Sequence, residues 1–295
     1  MKFAQVAIGT GPILAQYPVM HSGRSWRLLL CACWLVSFSI LQATPCRGMQ
    51  TKSNNLAPQG EGVGAHPILV ELFTSEGCSS CPPADALLEK LDSTQPVSGA
   101  QLIVLSEHVD YWDHDGWKDP NSSAALTERQ EAYVHALGLS DAYTPQLIVD
   151  GTRILPTGDA RQFIKLFQDE AAAPKVPVRI DDVSADAGKP DVLHAHIEAD
   201  GISGDRSADV YVAVALDRVE SQVLRGENGG RHLTHVAVVV QLTKIGKVQK
   251  GKSFDDTVQL KLKPGTDPQN VRIVAFVQEP GPGKLLGAAM RRPAS

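Results

Sequence analysis

The most restrictive feature of this sequence is a pair of cysteines placed between an apolar run and an amphipathic segment. Cys78 and Cys81 are separated by two serines. Before them, Ile68 to Phe73 (ILVELF) is nearly continuous in apolar residues, which indicates a buried parallel strand. After them, Pro82 to Leu91 has proline in its first turn and leucines at helical spacing, which predicts a helix. Both cysteines should therefore lie in a turn that leads into a helix N-terminus.

Such a pair can act as a thiol–disulfide centre. The aligned amides and the dipole of a helix N-terminus favour the thiolate of the first cysteine. We predict that Cys78 is the nucleophile, because it precedes the helix and should be less enclosed, and that Cys81 is the resolving partner. The alternatives are a permanently oxidised structural bridge and half of a zinc site.

The remaining elements of the first half follow from the same patterns. A second buried strand is followed by a helix with cap residues at box spacing and glycine at its end. A short strand, an Asp-Gly turn, a second short strand and a final capped helix complete the order βαβαββα. This order is the minimal thioredoxin topology, and its predicted elements are Leu102 to Leu105, Thr127 to Leu137, Gln146 to Val149, Thr152 to Leu155 and Asp159 to about Ala171.

Thr144 and Pro145 stand directly before the third strand. In a thioredoxin-type site, a cis proline opens the strand that faces the cysteines, so that the preceding backbone can pair with an extended peptide. An X-Pro bond adopts the cis form at a cost of only about 0.5–1 kcal/mol. We predict a cis bond here, with Pro145 in the catalytic site and Thr144 in substrate binding.

The loop from Glu107 to Pro120 (EHVDYWDHDGWKDP) concentrates histidine, aspartate and tryptophan after the second strand. Loops at the carboxyl ends of strands carry function in α/β folds. We predict that His108 and Asp110 relay protons to Cys81 and that Trp112 lies under a substrate groove. The alternative is that the tryptophans only fix the loop while its carboxylates face solvent.

Metal chemistry is the other reading of these residues. No second C-x-x-C follows residue 46, so a structural zinc site lacks its usual second pair of ligands. A mononuclear zinc or copper site would have to recruit His108, Asp110 or His114. We expect neither a metal nor another cofactor, and keep a partner- or metal-binding protein on the same scaffold as the alternative function.

After residue 173 the pattern changes to alternating and β-branched runs. Their spacing and turns predict an antiparallel β-sandwich. Gly226 to Gly230 should form a hairpin or loop, and His232 and His235 are predicted to be surface or packing residues. The six predicted strands are Val176 to Ile180, Val192 to Ile197, Val210 to Leu216, Val236 to Leu242, Thr257 to Leu262 and Val271 to Val277.

The first 43 residues have the pattern of a secretory signal peptide. Two arginines precede the apolar stretch Leu28 to Leu41, and small residues follow it. This stretch is shorter than the roughly 20 apolar residues of a spanning helix. Translation starts at Met1 or at Met20, and Cys46 offers a less favoured point for lipid attachment. We predict a periplasmic or secreted protein that is not integral to the membrane, with a linker over 44–65, a thioredoxin-like domain over 66–173 and a β-rich domain over 174–295.

Composition excludes several classes of protein. Among the 295 residues the net charge is −5, and no stripe of lysine and arginine is present, so the sequence lacks the electrostatic footprint of a nucleic-acid-binding protein. The motifs G-x-S-x-G, H-E-x-x-H and the P-loop are also absent. The expected partners are protein thiols or disulfides.

Several motifs in order resemble one family of secreted bacterial proteins, the domain of unknown function 1223, which has a thioredoxin-like fold. The resemblance implies that fold and export, and it does not imply an activity. Unlike thioredoxin, the chain has Ser-Ser between its cysteines and no tryptophan before Cys78, so the direction of exchange does not carry over. The matching segments are Val70 to Asp85, His108 to Pro120, Thr127 to Tyr133, Tyr143 to Gly151 and Arg225 to His235.

Overall fold

The structure is a computed structural model that describes residues 65–155 and 160–293. The predicted signal peptide, Cys46 and the predicted linker up to residue 64 lie outside the described residues. The elements in chain order are β1 (His66–Thr74), α1 (Pro82–Thr94), β2 (Ala100–His108), α2 (Ala124–Ala136), β3 (Gln146–Val149), β4 (Arg153–Ile154), α3 (Ala160–Ala171), β5 (Val178–Asp186), β6 (Lys189–Ala199), β7 (Ala208–Gln222), β8 (His232–Val248), β9 (Phe254–Lys261), a 3₁₀ turn (Pro268–Asn270), β10 (Val271–Gln278) and β11 (Leu285–Arg291).

Strands dominate this mixed α/β fold. The larger sheet has eight strands in the order β11-β10-β7-β8-β2-β1-β3-β4, and the smaller sheet has three in the order β5-β6-β9. In the larger sheet, β1 and β2 are parallel, as are β2 and β8, whereas β3 runs antiparallel to β1. Strands from both sides of residue 173 thus share one sheet, and the division of the chain into two domains stays a prediction.

The central strands are buried on both faces, which explains their nearly continuous apolar sequence. On one face, side chains of β1 such as Val70 and Leu72 pack against α1 and α3. On the other face, Leu69 and Ile103 pack against Leu126 of α2 and against β10 and β11. This arrangement holds the carboxyl ends of β1 and β2, where the candidate site lies, on a rigid support.

Both ends of α2 depend on particular residues. The predicted cap of α2 at Thr127 is wrong: the helix begins three residues earlier, and the Ser123 hydroxyl accepts the amide proton of Ala125 at 3.3 Å. Gly138 follows the C-terminal end of α2 with a positive φ of 66°, as expected for a glycine that ends a helix.

The Asp150–Gly151 turn joins β3 to β4 as predicted, and both residues have positive φ.

In the second half, all six predicted strands are present, and the sequence analysis missed β11. The smaller sheet packs against β7 and β10 of the larger one through side chains such as Ile197, Val212 and Ile273. The two layers therefore resemble a sandwich locally, but one layer continues into the sheet of the first half. Among the described residues, no helix has the length and apolar character needed to cross a bilayer.

Candidate functional site

The cysteine pair lies in the turn between β1 and α1. Cys78 and Cys81 form a disulfide, with Cα atoms 5.4 Å apart. The turn is closed by backbone hydrogen bonds, since Cys81 donates its amide to the carbonyl of Cys78 at 3.2 Å. Cys81 is the N-cap of α1, and its carbonyl accepts the amides of Ala84 and Asp85. The hydroxyl of Ser80 lies 3.3 Å from the sulfur of Cys78, within reach of a hydrogen bond to that sulfur.

The expectation that Cys78 is the less enclosed cysteine is wrong, because both cysteines are 0% exposed. The reason is a segment of the second half, residues 223–231, which we call the cover loop. The side-chain amide of Asn228 donates to the carbonyls of Glu76 and Cys78, at 2.9 Å each. The carboxylate of Glu227 accepts the amide of Ser79 at 3.1 Å. The turn that carries the pair is thus hydrogen-bonded to a loop that is distant in sequence.

The cover loop is held by its own backbone and by one close approach. Val223 and Arg231 pair at its base through a 3.0 Å hydrogen bond. Gly226 has a positive φ of 78°, and a Cβ there would lie 3.1 Å from both the Asp115 carbonyl oxygen and the Cβ of Trp117. Only glycine fits this conformation and this contact. The sequence prediction of a loop at 226–230 is confirmed.

A cluster of buried histidines and carboxylates lies next to the pair. We call it the histidine cluster, and its members are Glu76, Asp85, His108, Asp119 and His235. Their side chains come from the β1–α1 turn, α1, the end of β2, the following loop and β8.

Two contacts hold the histidine cluster together. His108 Nδ1 lies 2.7 Å from an oxygen of Asp119, and the rings of His108 and His235 meet edge to face with centroids 4.7 Å apart. His235 lies 4.0 Å from Glu76 and 3.6 Å from Asp85, measured from ring nitrogen to carboxylate oxygen. Five side chains that can carry charge thus share one buried region.

Neighbouring groups orient the carboxylates of this cluster. The indole of Trp117 donates to Glu76 at 2.7 Å, and the hydroxyl of Thr74 donates to Asp85 at 2.9 Å. The amide of Glu76 donates to Asp119 at 2.9 Å. Because burial of an unpaired charge is costly, these bonds are what permit carboxylates at this depth.

Electrostatics favour an ion pair between His108 and Asp119. Burial lowers the pKa of His108, but the charge of Asp119 and its hydrogen bond outweigh burial, so the pKa is raised above 6.5. Burial raises the pKa of Asp119, but His108 and backbone amides outweigh it, so the pKa falls below 3.8. Over the interval between these values both groups are charged.

Other nitrogens of the histidine cluster have no protein hydrogen-bond partner. They are Nε2 of His108 and both ring nitrogens of His235, which is 1% exposed. A buried polar atom without a partner costs roughly 1–3 kcal/mol and calls for a functional or solvent explanation. These nitrogens therefore have unused hydrogen-bonding capacity within the cluster.

Thr144 and Pro145 lie beside the turn that carries the pair. Phe73 of β1 is paired with Gln146 of β3 in antiparallel register, so residues 74–75 and 144–145 leave the sheet side by side. The Thr144–Pro145 bond is cis, as predicted. The indole of Trp112 donates to the hydroxyl of Thr144 at 2.8 Å, which joins two predicted substrate-binding residues.

Asp110 is the predicted site residue that lies elsewhere. Its carboxylate accepts the hydroxyl proton of Thr127 at 2.6 Å, and its amide donates to the same hydroxyl oxygen at 3.0 Å. These bonds tie the loop to α2. The described contacts bring His108 into the histidine cluster and leave Asp110 at the helix.

The sequence analysis missed His235, Asn228, Glu76 and Asp85 as site residues. The prediction that His235 is a surface or packing residue does not describe its position between two buried carboxylates, whereas His232 is exposed. The available signal was the segment Arg225 to His235, which resembles the family and contains both the cover loop and His235.

Comparison with known proteins places the chain in a family. No curated protein matches it. A crystal structure of an Agrobacterium tumefaciens protein is 28% identical, covers 78% of this chain and 96% of its own, and superposes with a TM-score of 0.60. The sporulation control protein Spo0M of Bacillus subtilis is 13% identical over 40% of this chain and 47% of its own, with a TM-score of 0.27. The model of the family "Protein of unknown function (DUF1223)" matches residues 69–278, and the chain therefore belongs to that family.

Proposed function

We propose that this chain is an exported thiol–disulfide oxidoreductase with a thioredoxin-like first half, and that Cys78 and Cys81 are its redox pair. The observation that carries the proposal is the disulfide at the N-terminus of α1, next to buried groups that can hold a proton. The order β2-β1-β3-β4, with β3 antiparallel, supports the thioredoxin-like assignment. The export signal predicted over 1–43 supports an oxidising compartment, in which a disulfide persists.

The exchange reaction uses both sulfurs. A partner thiolate attacks Sγ of Cys78, the Cys78–Cys81 bond breaks, and the electron pair leaves on Cys81. A second partner thiol then displaces Cys78 from the mixed disulfide, so that the partner is oxidised and the pair is reduced. The reverse sequence oxidises the pair. A nearby helix N-terminus and the Ser80 hydroxyl stabilise the thiolate of Cys78 in either direction.

Buried groups beside the cysteine pair accept the proton that this exchange releases. Asp85 lies four residues, about one helical turn, after Cys81, and it faces His235 at 3.6 Å. When the thiol of Cys81 attacks the mixed disulfide, its proton passes to the Asp85–His235 pair. This assignment replaces the predicted relay through His108 and Asp110. Asp85 and His235 accept the proton instead, and His108 affects them only through its contact with the ring of His235.

Partner recognition is assigned to the residues beside the pair. Tyr111 and Tyr143 are exposed aromatic residues at this end of the molecule, and both contact Gln130. Together with Trp112 and Thr144 they form a surface of aromatic and hydroxyl groups beside the pair, and Pro145, which has no amide proton, borders it. An extended polypeptide that carries a thiol or disulfide fits such a surface.

Burial of both cysteines requires that the cover loop moves before a partner can react. The same burial favours a second function, that of a partner-binding protein in which the bridge is an inert staple. The two functions differ in one measurable property, which is the rate at which the bridge of the folded protein is reduced.

The experiment compares reduction of the mature protein by a small dithiol with reduction of Asn228→Ala, followed by alkylation and mass spectrometry. This variant removes the two hydrogen bonds from the loop to the turn and a third within the loop, which Arg231 donates to the Asn228 amide oxygen. At about 1 kcal/mol each, loss of the two bonds to the turn raises the open population of the loop roughly thirtyfold. Gln222→Ala is the matched control, because it removes a bond at the base of the loop without a contact to the pair.

Faster reduction of Asn228→Ala, with Gln222→Ala unchanged, supports the oxidoreductase. In the same proposal, Cys78→Ser abolishes turnover of a model protein disulfide. A bridge that resists reduction in both the mature protein and Asn228→Ala supports the inert staple and overturns the proposal.

A further inference from the structure

The outer face of the smaller sheet carries a row of side chains that can bind a metal. On β6 the residues Leu193, Ala195 and Ile197 are buried against the larger sheet. Because side chains alternate along a strand, His194, His196 and Glu198 point to the other face. The sequence H-x-H-x-E therefore places three potential ligands in a line on a rigid surface.

The neighbouring strand β9 contributes one more potential ligand. Asp255 of β9 is directly opposite Glu198 of β6 in the register of the pair. Two like charges at such a position destabilise a sheet, and a cation bound between them offsets this repulsion. In the part of the chain that the structure describes, His196, Glu198 and Asp255 form the group whose potential ligand atoms lie within 4.8 Å of one another.

The distances from His196 to the two carboxylates are longer than hydrogen bonds and match the separation of neighbouring ligand atoms around a metal ion. Nε2 of His196 lies 3.5 Å from Glu198 Oε1 and 3.6 Å from Asp255 Oδ1. Hydrogen bonds from nitrogen to oxygen are about 2.7–3.2 Å long. Around tetrahedral zinc, with bonds of about 2.0–2.2 Å, neighbouring ligand atoms are roughly 3.3–3.6 Å apart.

The remaining atoms of two ligands are already held. Nδ1 of His196 lies 3.2 Å from the hydroxyl of Thr257, which leaves Nε2 directed at the carboxylates. Arg179 donates to Oε2 of Glu198 at 2.8 Å, which leaves Oε1 for the ion. Partners of this kind, which fix the far side of a ligand, are a regular feature of protein metal sites.

We propose that His196, Glu198 and Asp255 form a binding site for a divalent transition-metal ion with a preference for nitrogen and oxygen ligands, with zinc as the probe. One imidazole selects against magnesium and calcium, which prefer oxygen alone. Three protein ligands leave one position for water or for a group from a partner. The site belongs to the second half of the chain and is independent of the cysteine pair.

The test is a calorimetric titration of zinc chloride into the mature, untagged protein with its disulfide intact. We expect one zinc per chain, and we expect His196→Gln to weaken binding at least tenfold. His194→Gln is the matched control, since His194 lies on the same face of the same strand and pairs with Asp186 at 3.1 Å. Asp255→Asn should weaken binding and, in the absence of zinc, should not lower thermal stability.

Absence of zinc binding to the mature protein overturns the site. Equal affinity in His196→Gln and in the mature protein overturns it as well, as does a loss in His194→Gln as large as that in His196→Gln. Because all these side chains lie on the surface, circular dichroism of each variant should match that of the mature protein. A titration with calcium as a second probe should give no heat.

Discussion

Glu107 and His108 are neighbours in β2, and their side chains enter two different buried polar networks. Glu107 faces α2 and joins what we call the arginine network, whose other members are Glu71, Arg129, Tyr133 and Gln278. His108 faces α1 and joins the histidine cluster. Both networks are buried, so they can be compared by the bonds that each one makes to its charged groups.

In the arginine network, Arg129 is anchored by direct bonds to distant elements, whereas neither carboxylate oxygen of Glu107 has a hydrogen-bond partner. Arg129 of α2 donates to Glu71 of β1 at 2.8 Å and to Gln278 of β10 at 3.2 Å, and its guanidinium lies 5.0 Å from the ring centroid of Tyr133. Burial, followed by the charge of Glu71, raises the pKa of Glu107 well above 4.5. These contacts around one buried guanidinium join both halves of the chain.

In the histidine cluster only part of the capacity for hydrogen bonds is used. His108 and Asp119 pair, but His235 has carboxylates on both sides at 3.6 and 4.0 Å and no hydrogen bond to either. A network that serves stability should resemble the arginine network. Both networks leave buried atoms without a hydrogen-bond partner. In the arginine network these are the oxygens of Glu107 beside a cation, whereas in the histidine cluster they are ring nitrogens next to the cysteine pair, which indicates chemistry there.

The largest effect should come from Arg129→Met. Removal of the guanidinium leaves the carboxylate of Glu71 buried beside Glu107, and loss of one member of a buried pair costs about 3–5 kcal/mol. We expect a fall of that size in the free energy of unfolding, measured by urea denaturation, and a smaller fall for Arg129→Lys. The control Arg218→Met removes exposed ion pairs with Glu89 and Glu220 and should leave stability nearly unchanged. A loss below about 1 kcal/mol in Arg129→Met would mean that the network does not support the fold.

An intermediate effect should come from Asp119→Asn, and it should depend on pH. The raised pKa of His108 contributes stability that is present below pH 6.5 and is lost as the pH rises through the pKa of the folded state. The lowered pKa of Asp119 contributes stability that is present above pH 3.8 and is lost as the pH falls. The advantage of the natural protein over Asp119→Asn, about 1–3 kcal/mol, should therefore be largest between these values. A constant difference from pH 5 to 9 would show that the pair is not ionised.

The comparison also shows which features a single sequence can predict. The strands, the turn with Cys78 and Cys81 and the position of Thr144 and Pro145 depend on neighbours in the chain, and local patterns report them. The predicted bounds of α2 were less accurate, because Ser123 and Thr127 are both good cap residues. Only the structure shows that the hydroxyl of Thr127 is hydrogen-bonded to Asp110.

Contacts between distant segments were out of reach. The cover loop and His235 reach the pair because β8 pairs with β2 in parallel, and this pairing of Ser106 with Val238 has no local signal. Without it, Cys78 was expected to be less enclosed and His235 to be a surface or packing residue. His196 and Glu198 were not identified as ligands, although H-x-H-x-E is a local pattern. Asp255 could not be predicted beside them, because nothing near this pattern indicates which strand pairs with it.

The smallest effect on stability, and the sharpest contrast with Arg129, should come from His235→Leu. Neither ring nitrogen of His235 has a protein hydrogen-bond partner, so an apolar side chain of similar size removes a polar group that contributes no bond. Replacement of such a group by a well-packed apolar one is nearly neutral, and we expect a change within about 1 kcal/mol by urea denaturation. The rate of thiol–disulfide exchange should nevertheless fall, because the proton acceptor next to Asp85 is gone. His232→Leu, at an exposed position three residues earlier, should change neither quantity. A loss of stability comparable with that of Arg129→Met would instead assign the histidine cluster to the support of the fold.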